Sequence, residues 1–137
     1  MTMRLSLGLV LMMALPVAAQ TEPGSPLAAL DAETFDRLTR GRIMGHYDGP
    51  WYGAEEYFSG RHVIWQDADG CMAGTWEQRG DQICFIYEDG LPDRCWVYLA
   101  EPDGTLSAWF EGDMTGNPIM LREQADPIRC PELAPLS

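Results

Sequence analysis

Residues able to do chemistry are scattered along this 137-residue chain. His46-Tyr47-Asp48 can set an imidazole beside a carboxylate, and Glu55, Glu56 and His62 follow within a hairpin's reach. His46, Asp48 and His62 are therefore the candidate metal ligands, since transition-metal sites gather histidines and support them with fixed partners. The same carboxylates are candidates for acid/base catalysis, which a cleft with shifted protonation would single out. A solvated or ion-paired surface histidine and the general abundance of carboxylates explain these residues more simply. Asp67-Ala68-Asp69-Gly70 starts like a calcium loop. A calcium loop needs oxygen ligands at alternating positions and a distal bidentate carboxylate. Here Cys71 and Gln78 occupy the fifth and twelfth positions, so a hairpin turn fits better unless Glu77 or Asp81 reaches back. Nucleophilic catalysis has less support, because no Gly-x-Ser-x-Gly elbow is present. No cofactor is indicated.

The aromatic residues suggest a different chemistry. Trp51, Tyr57, Trp65 and Trp76 fall in runs of β-forming residues. Aromatic-lined concavities take up small apolar ligands, and these four are the candidate pocket members. Filling a small barrel core is the commoner use of the same side chains.

The elements that position these residues follow from patterning. Met1 to Arg4 is a short basic start, Leu5 to Val17 is apolar, and Val17-Ala18-Ala19 offers small residues for cleavage. This is the pattern of a secretory signal peptide over residues 1–19, and the apolar run is too short to span a bilayer. Residues 20–30 read as a flexible lead-in and 31–137 as a single domain. Asp31 to Arg40 is the helix candidate, capped by Asp31, ended at Gly41 and offering an apolar stripe of Leu27, Leu30, Phe35 and Leu38. From Trp51 onward, seven runs alternate with turn residues: 51–59, 61–66, 71–78, 82–87, 94–99, 105–110 and 119–122. Such spacing predicts a mainly β fold: an antiparallel meander of seven to eight strands, curled or closed into a small barrel, with one short N-terminal helix.

Four cysteines in an exported chain imply two disulfides, and three connectivities are possible. If Asp89-Gly90 is the tight turn of its hairpin, Cys84 lies opposite Cys95 and Ile83 opposite Trp96. That register favours Cys84–Cys95 and leaves Cys71–Cys130 to pin the C-terminal tail.

Charge narrows the partners. Of the 30 charged residues, 21 are acidic, and all 9 basic ones are Arg. Without the leader the net charge is about −13. This surface disfavours nucleic acid and anionic lipid and leaves room for a basic protein partner. No membrane insertion is expected after leader cleavage.

The segment from Gly41 to Trp96, with its Gly74-Thr75-Trp76, Gly80-Asp81-x-x-Cys84 and Cys95-Trp96 elements, resembles a family of small exported alphaproteobacterial proteins of uncharacterised function. The resemblance implies a periplasmic location and transfers no catalytic residue. A fainter likeness to lipocalin-type barrels rests on Gly49-Pro50-Trp51 or Gly74-Thr75-Trp76. The function expected is a non-enzymatic periplasmic binding module for a small apolar ligand or envelope component. The alternatives are a protein-binding or inhibitor module, and a metal- or carboxylate-dependent enzyme.

Overall fold

A computed structural model describes residues 27–133. The expected leader and residues 20–26 of the lead-in lie outside the described residues. At the near end of that lead-in, Leu30 is buried and its N–H donates to the Tyr98 carbonyl at 2.8 Å.

Helix α1 spans Ala32–Thr39. The Asp31 carboxylate caps it by accepting from the Thr34 N–H at 2.8 Å. Eight strands follow: β1 (Ile43–Tyr47), β2 (Trp51–Tyr57), β3 (His62–Asp67), β4 (Gly70–Arg79), β5 (Gln82–Tyr87), β6 (Arg94–Ala100), β7 (Leu106–Phe110) and β8 (Ile119–Glu123). Each pairs antiparallel with the next, and β8 pairs with β1, so the sheet closes into a barrel. Closure removes the exposed edges an open meander would keep.

The seven expected runs are β2 to β8. The eighth strand, β1, carries Gly45 and His46 in five residues, a composition with weak strand preference. It is held by two neighbours rather than by its own propensity.

Both expected disulfides are present, Cys84–Cys95 and Cys71–Cys130. Cys84 pairs with Cys95 and Ile83 with Trp96 in the register anticipated from Asp89-Gly90. The ladder between β5 and β6 stops at Phe85–Arg94. In this register Tyr87 would face Pro92, which has no N–H to donate. The second disulfide straps the tail over the outside of β3 and β4, where the Gln66 side-chain amide donates to the Arg129 carbonyl at 3.0 Å.

The helix plugs one end of the barrel. Phe35 is fully buried and its ring lies 4.6 to 6.3 Å from those of Tyr57, Trp76, Phe85 and Tyr98. Leu30 and Leu38 pack with it, whereas Leu27 stays exposed. The helix is tied down by the Ala32 N–H, which donates to Gln78 Oε1 at 2.7 Å. The connections β1–β2, β3–β4, β5–β6 and β7–β8 surround the other end, the mouth.

Candidate functional site

Alternation along each strand fills the lumen in two layers. Near the helix the inward residues are apolar: Met44, Tyr57, Val63, Trp76, Ile83 and Leu121 are all buried. Toward the mouth, strands β1, β2, β3, β5 and β6 present His46, Glu55, Trp65, Asp67, Tyr87 and Arg94. A cavity of about 260 Å³ lies among them, with Tyr52, Trp96 and Tyr98 completing its aromatic wall. It sits just below the usual 300–1,000 Å³ range for drug-sized ligands and suits something smaller.

Glu55 is the central polar group. It is only 2% exposed. Tyr87 donates to its Oε1 at 2.6 Å and Tyr57 to its Oε2 at 3.2 Å. Burial raises its pKa to about 7, against the opposing pull of the two hydroxyls and of Arg94. Burial and the adjacent Glu55 carboxylate hold the Tyr57 and Tyr87 hydroxyls protonated, as donors.

Arg94 is already engaged. Its Nη2 donates to the Asp89 carboxylate at 2.8 Å, and its guanidinium lies 5.1 Å from the centre of the Tyr87 ring. Its Nη1 is shut off from solvent and has no partner. The hydrogen bond from Arg94 also holds Asp89 below the usual carboxylate range.

His46 is buried, and its Nδ1 lies 3.0 Å from the Met44 carbonyl. The carbonyl can only accept, so the neutral ring carries its proton on Nδ1 and keeps a lone pair on Nε2. Burial lowers its pKa to about 4. Its ring meets Trp65 edge-on at 5.0 Å. The Trp65 indole N–H donates to Asp67 at 2.9 Å. Gly53 makes room for that indole: a Cβ there would collide with the Trp65 ring.

Among the four expected pocket aromatics, Trp65 lines the cavity. Tyr57 and Trp76 lie deeper, in the packed layer around Phe35. Trp51 is 47% exposed, and its indole N–H donates to Gln124 at 3.3 Å. The register of β1 and β2 explains this placement. His46 faces Gly53 but Tyr47 faces Trp51, so Tyr52 is an extra residue in a bulge. The bulge turns Trp51 away and leaves Tyr52 on the cavity.

Of the expected metal ligands, His46 is inside, while Asp48 and His62 are exposed. Among the described residues no three or more His, Cys, Asp or Glu side chains converge to hold a metal ion. The Asp67–Gly70 stretch is the β3–β4 turn, with the Asp69 N–H donating back to Asp67 at 2.8 Å. Glu77 lies seven residues up β4, about 23 Å away at strand rise, and is bound to Arg79. Asp81 is at the far end of that strand, so neither can reach the turn.

Arg94 was not a candidate from sequence, and Glu55 was one carboxylate among many. One signal did bear on Glu55. Glu55 and Glu56 are adjacent in a strand, so one of them must face the lumen whatever the register. Chemically, the site offers a carboxyl that exchanges its proton near neutrality, an unprotonated imidazole nitrogen and several aromatic faces. Serine, threonine and cysteine are missing from the residues lining the cavity.

Compared with protein-family models, curated proteins and solved structures, the chain matches none.

Proposed function

We propose that this protein is an exported, periplasmic, non-enzymatic binding module that admits a small, largely apolar ligand into the mouth of its barrel. One observation carries this reading. A lumen packed tightly at the helix end opens at the other into a cavity of about 260 Å³, walled by aromatic rings around a few converging polar groups. Small-molecule sites share that combination of apolar wall and sparse, oriented polar groups. The cavity lining includes no hydroxyl or thiol nucleophile of the serine or cysteine kind, which favours holding a ligand over acyl transfer. Two disulfides support an oxidising compartment, and no helix among the described residues is long and apolar enough to cross a membrane.

Native mass spectrometry of the protein purified from its own periplasm tests this. A small non-covalent adduct is expected on the wild type and is expected to be lost from Ala108→Phe, which adds a ring to the cavity wall. Wild type without an adduct, or an adduct that persists in A108F, would overturn the reading. A bound molecule released chemically altered would favour the carboxylate-dependent enzyme instead.

A second reading has its own support. Leu91, Phe110 and Met114 are each about half exposed or more, and all belong to loops or strand ends at the mouth. An apolar rim of this kind suits a protein partner. An inhibitor or docking module would use the rim, leaving the cavity unoccupied in the complex.

A further inference from the structure

We propose that the cavity selects a small organic ammonium ion, an amine carried on a body of one ring and a short chain. This rests on the binding-module reading and names its ligand class.

The charge balance of the cavity carries the inference. Arg94 is its cationic side chain, and that charge is answered by Asp89 at 2.8 Å. Among the described residues the remaining carboxyls of the lining, Glu55 and Asp67, form no ion pair; Arg94 acts on Glu55 only through space while its guanidinium is bound to Asp89. Asp67 accepts from the Trp65 indole N–H and its own turn. Glu55 accepts only from two neutral phenols. A carboxylate has about four lone-pair positions, so Glu55 keeps acceptor capacity that the fold does not use. A buried carboxylate without a cation is costly, and a ligand bringing one relieves that cost.

The walls fit the same ligand. Trp65, Tyr52, Tyr87 and Trp96 present rings around the carboxyls, and indole and phenol faces attract ammonium groups. One of these faces is already used this way, since the Arg94 guanidinium rests over Tyr87. The formal net charge of −12 draws cations toward the protein and repels anions. Size sets the body of the ligand: an apolar cavity of about 150 Å³ holds benzene, so about 260 Å³ takes a ring with a short chain. An anionic ligand would share the cavity with Glu55 and Asp67, and the Arg94 Nη1 it would seek is itself shut off from solvent.

The ligand should also be coupled to pH. The titratable groups facing Glu55 are His46 of β1, Tyr52 and Tyr57 of β2, Asp67 of β3, Tyr87 of β5, and Arg94 and Tyr98 of β6. The linings from β4, β7 and β8 (Met72, Ala108 and Ile119) carry no charge. His46, with a pKa near 4, stays neutral from pH 6 to pH 8 and the four tyrosines keep their protons, while Glu55 ionises. An ammonium ion binds the ionised form, so its affinity rises with pH through about 7.

Isothermal titration of the full chain with phenethylamine, phenethyl alcohol and hydrocinnamate tests the proposal. At pH 8 the amine should bind at least about tenfold more tightly than the alcohol, with the carboxylate weakest. Its affinity should fall about tenfold at pH 6, where most Glu55 is protonated. In Glu55→Gln the amine should lose its pH dependence between pH 6 and pH 8 and most of its advantage over the alcohol, Asp67 retaining the remainder. Should E55Q fail to fold, the pH series on the wild type decides alone. Alcohol or carboxylate binding as tightly as the amine would overturn the ammonium class and leave the binding module standing. Failure of all three to bind at millimolar concentration would count against both.

Discussion

Replacing Glu55 by Gln keeps the shape of the side chain and removes its titration. In the folded chain Glu55 holds its proton up to about pH 7; the unfolded reference releases it near 4.5. Folding therefore takes up a proton between these values, and stability falls as pH rises through that window. The full interval corresponds to about 3 kcal/mol, of which about 2–3 kcal/mol develops between pH 5 and pH 8. Gln carries no such dependence. Urea unfolding of both proteins at pH 5 and pH 8 should show E55Q gaining about 2–3 kcal/mol relative to wild type on going to the higher pH. Any packing or hydrogen-bonding penalty of the amide is present at both pH values and drops out of the comparison. His46 contributes the opposite slope, since its lowered pKa removes stability as pH falls through 6.5 toward 4, and it too cancels between the two proteins. A difference between variants that stays constant within about 0.5 kcal/mol would refute the reasoning. It would mean that the hydroxyls of Tyr57 and Tyr87 hold Glu55 ionised in the folded chain despite its burial.

Two further outcomes follow from the packing. Phe35→Ala should cost about 3–5 kcal/mol in urea unfolding, because the ring is fully buried among four other aromatics and the helix has no comparable second anchor. Removing the two disulfides as Cys→Ser pairs should separate stability from binding. Losing Cys71–Cys130, which closes 59 residues, costs about 4 kcal/mol and losing Cys84–Cys95, which closes 11, about 3 kcal/mol on the loop-entropy scale. Titration with phenethylamine should nevertheless weaken more in the Cys84/Cys95 variant, and the reverse order would refute the link between that disulfide and the cavity.

The barrel was legible because its signals are local. Alternation in Ile83-Cys84-Phe85 and the Asp89-Gly90 turn fixed one register, and that register brought two cysteines together. Strand β1 was not legible, since Gly45 and His46 acquire strand geometry only from neighbours on both sides. Nor could the pocket be read by extending alternation along β2, because one extra residue at Tyr52 reverses the facing of Trp51. Tyr57 and Trp76 do face inward; their depth depends on where Phe35 enters, which lies in a separate element. The meaning of Glu55 depends on closure itself. Its partners come from β2 and β5, strands separated by two others in the sheet and brought together across the lumen only when β8 meets β1.

The two ends of the lumen do opposite energetic work, and the disulfides lie where the balance is least favourable. At the helix end, buried rings make the stabilising contacts. At the mouth, a buried glutamate and a buried histidine each subtract from stability over part of the pH range. The seam between β5 and β6 is also short, with three paired positions against six between β4 and β5. Longer pairing there would need a residue other than Pro92 opposite Tyr87, and it would close the Glu88–Asp93 loop that brings Asp89 to Arg94. The chain keeps the loop, and with it the ion pair that answers the Arg94 charge, at the expense of ladder hydrogen bonds. Cys84–Cys95 sits at the middle of those three pairs. A covalent link at that position holds Tyr87 and Arg94 in place where backbone pairing is sparse. This is why the smaller loop should matter more to the cavity even though the larger one matters more to the fold.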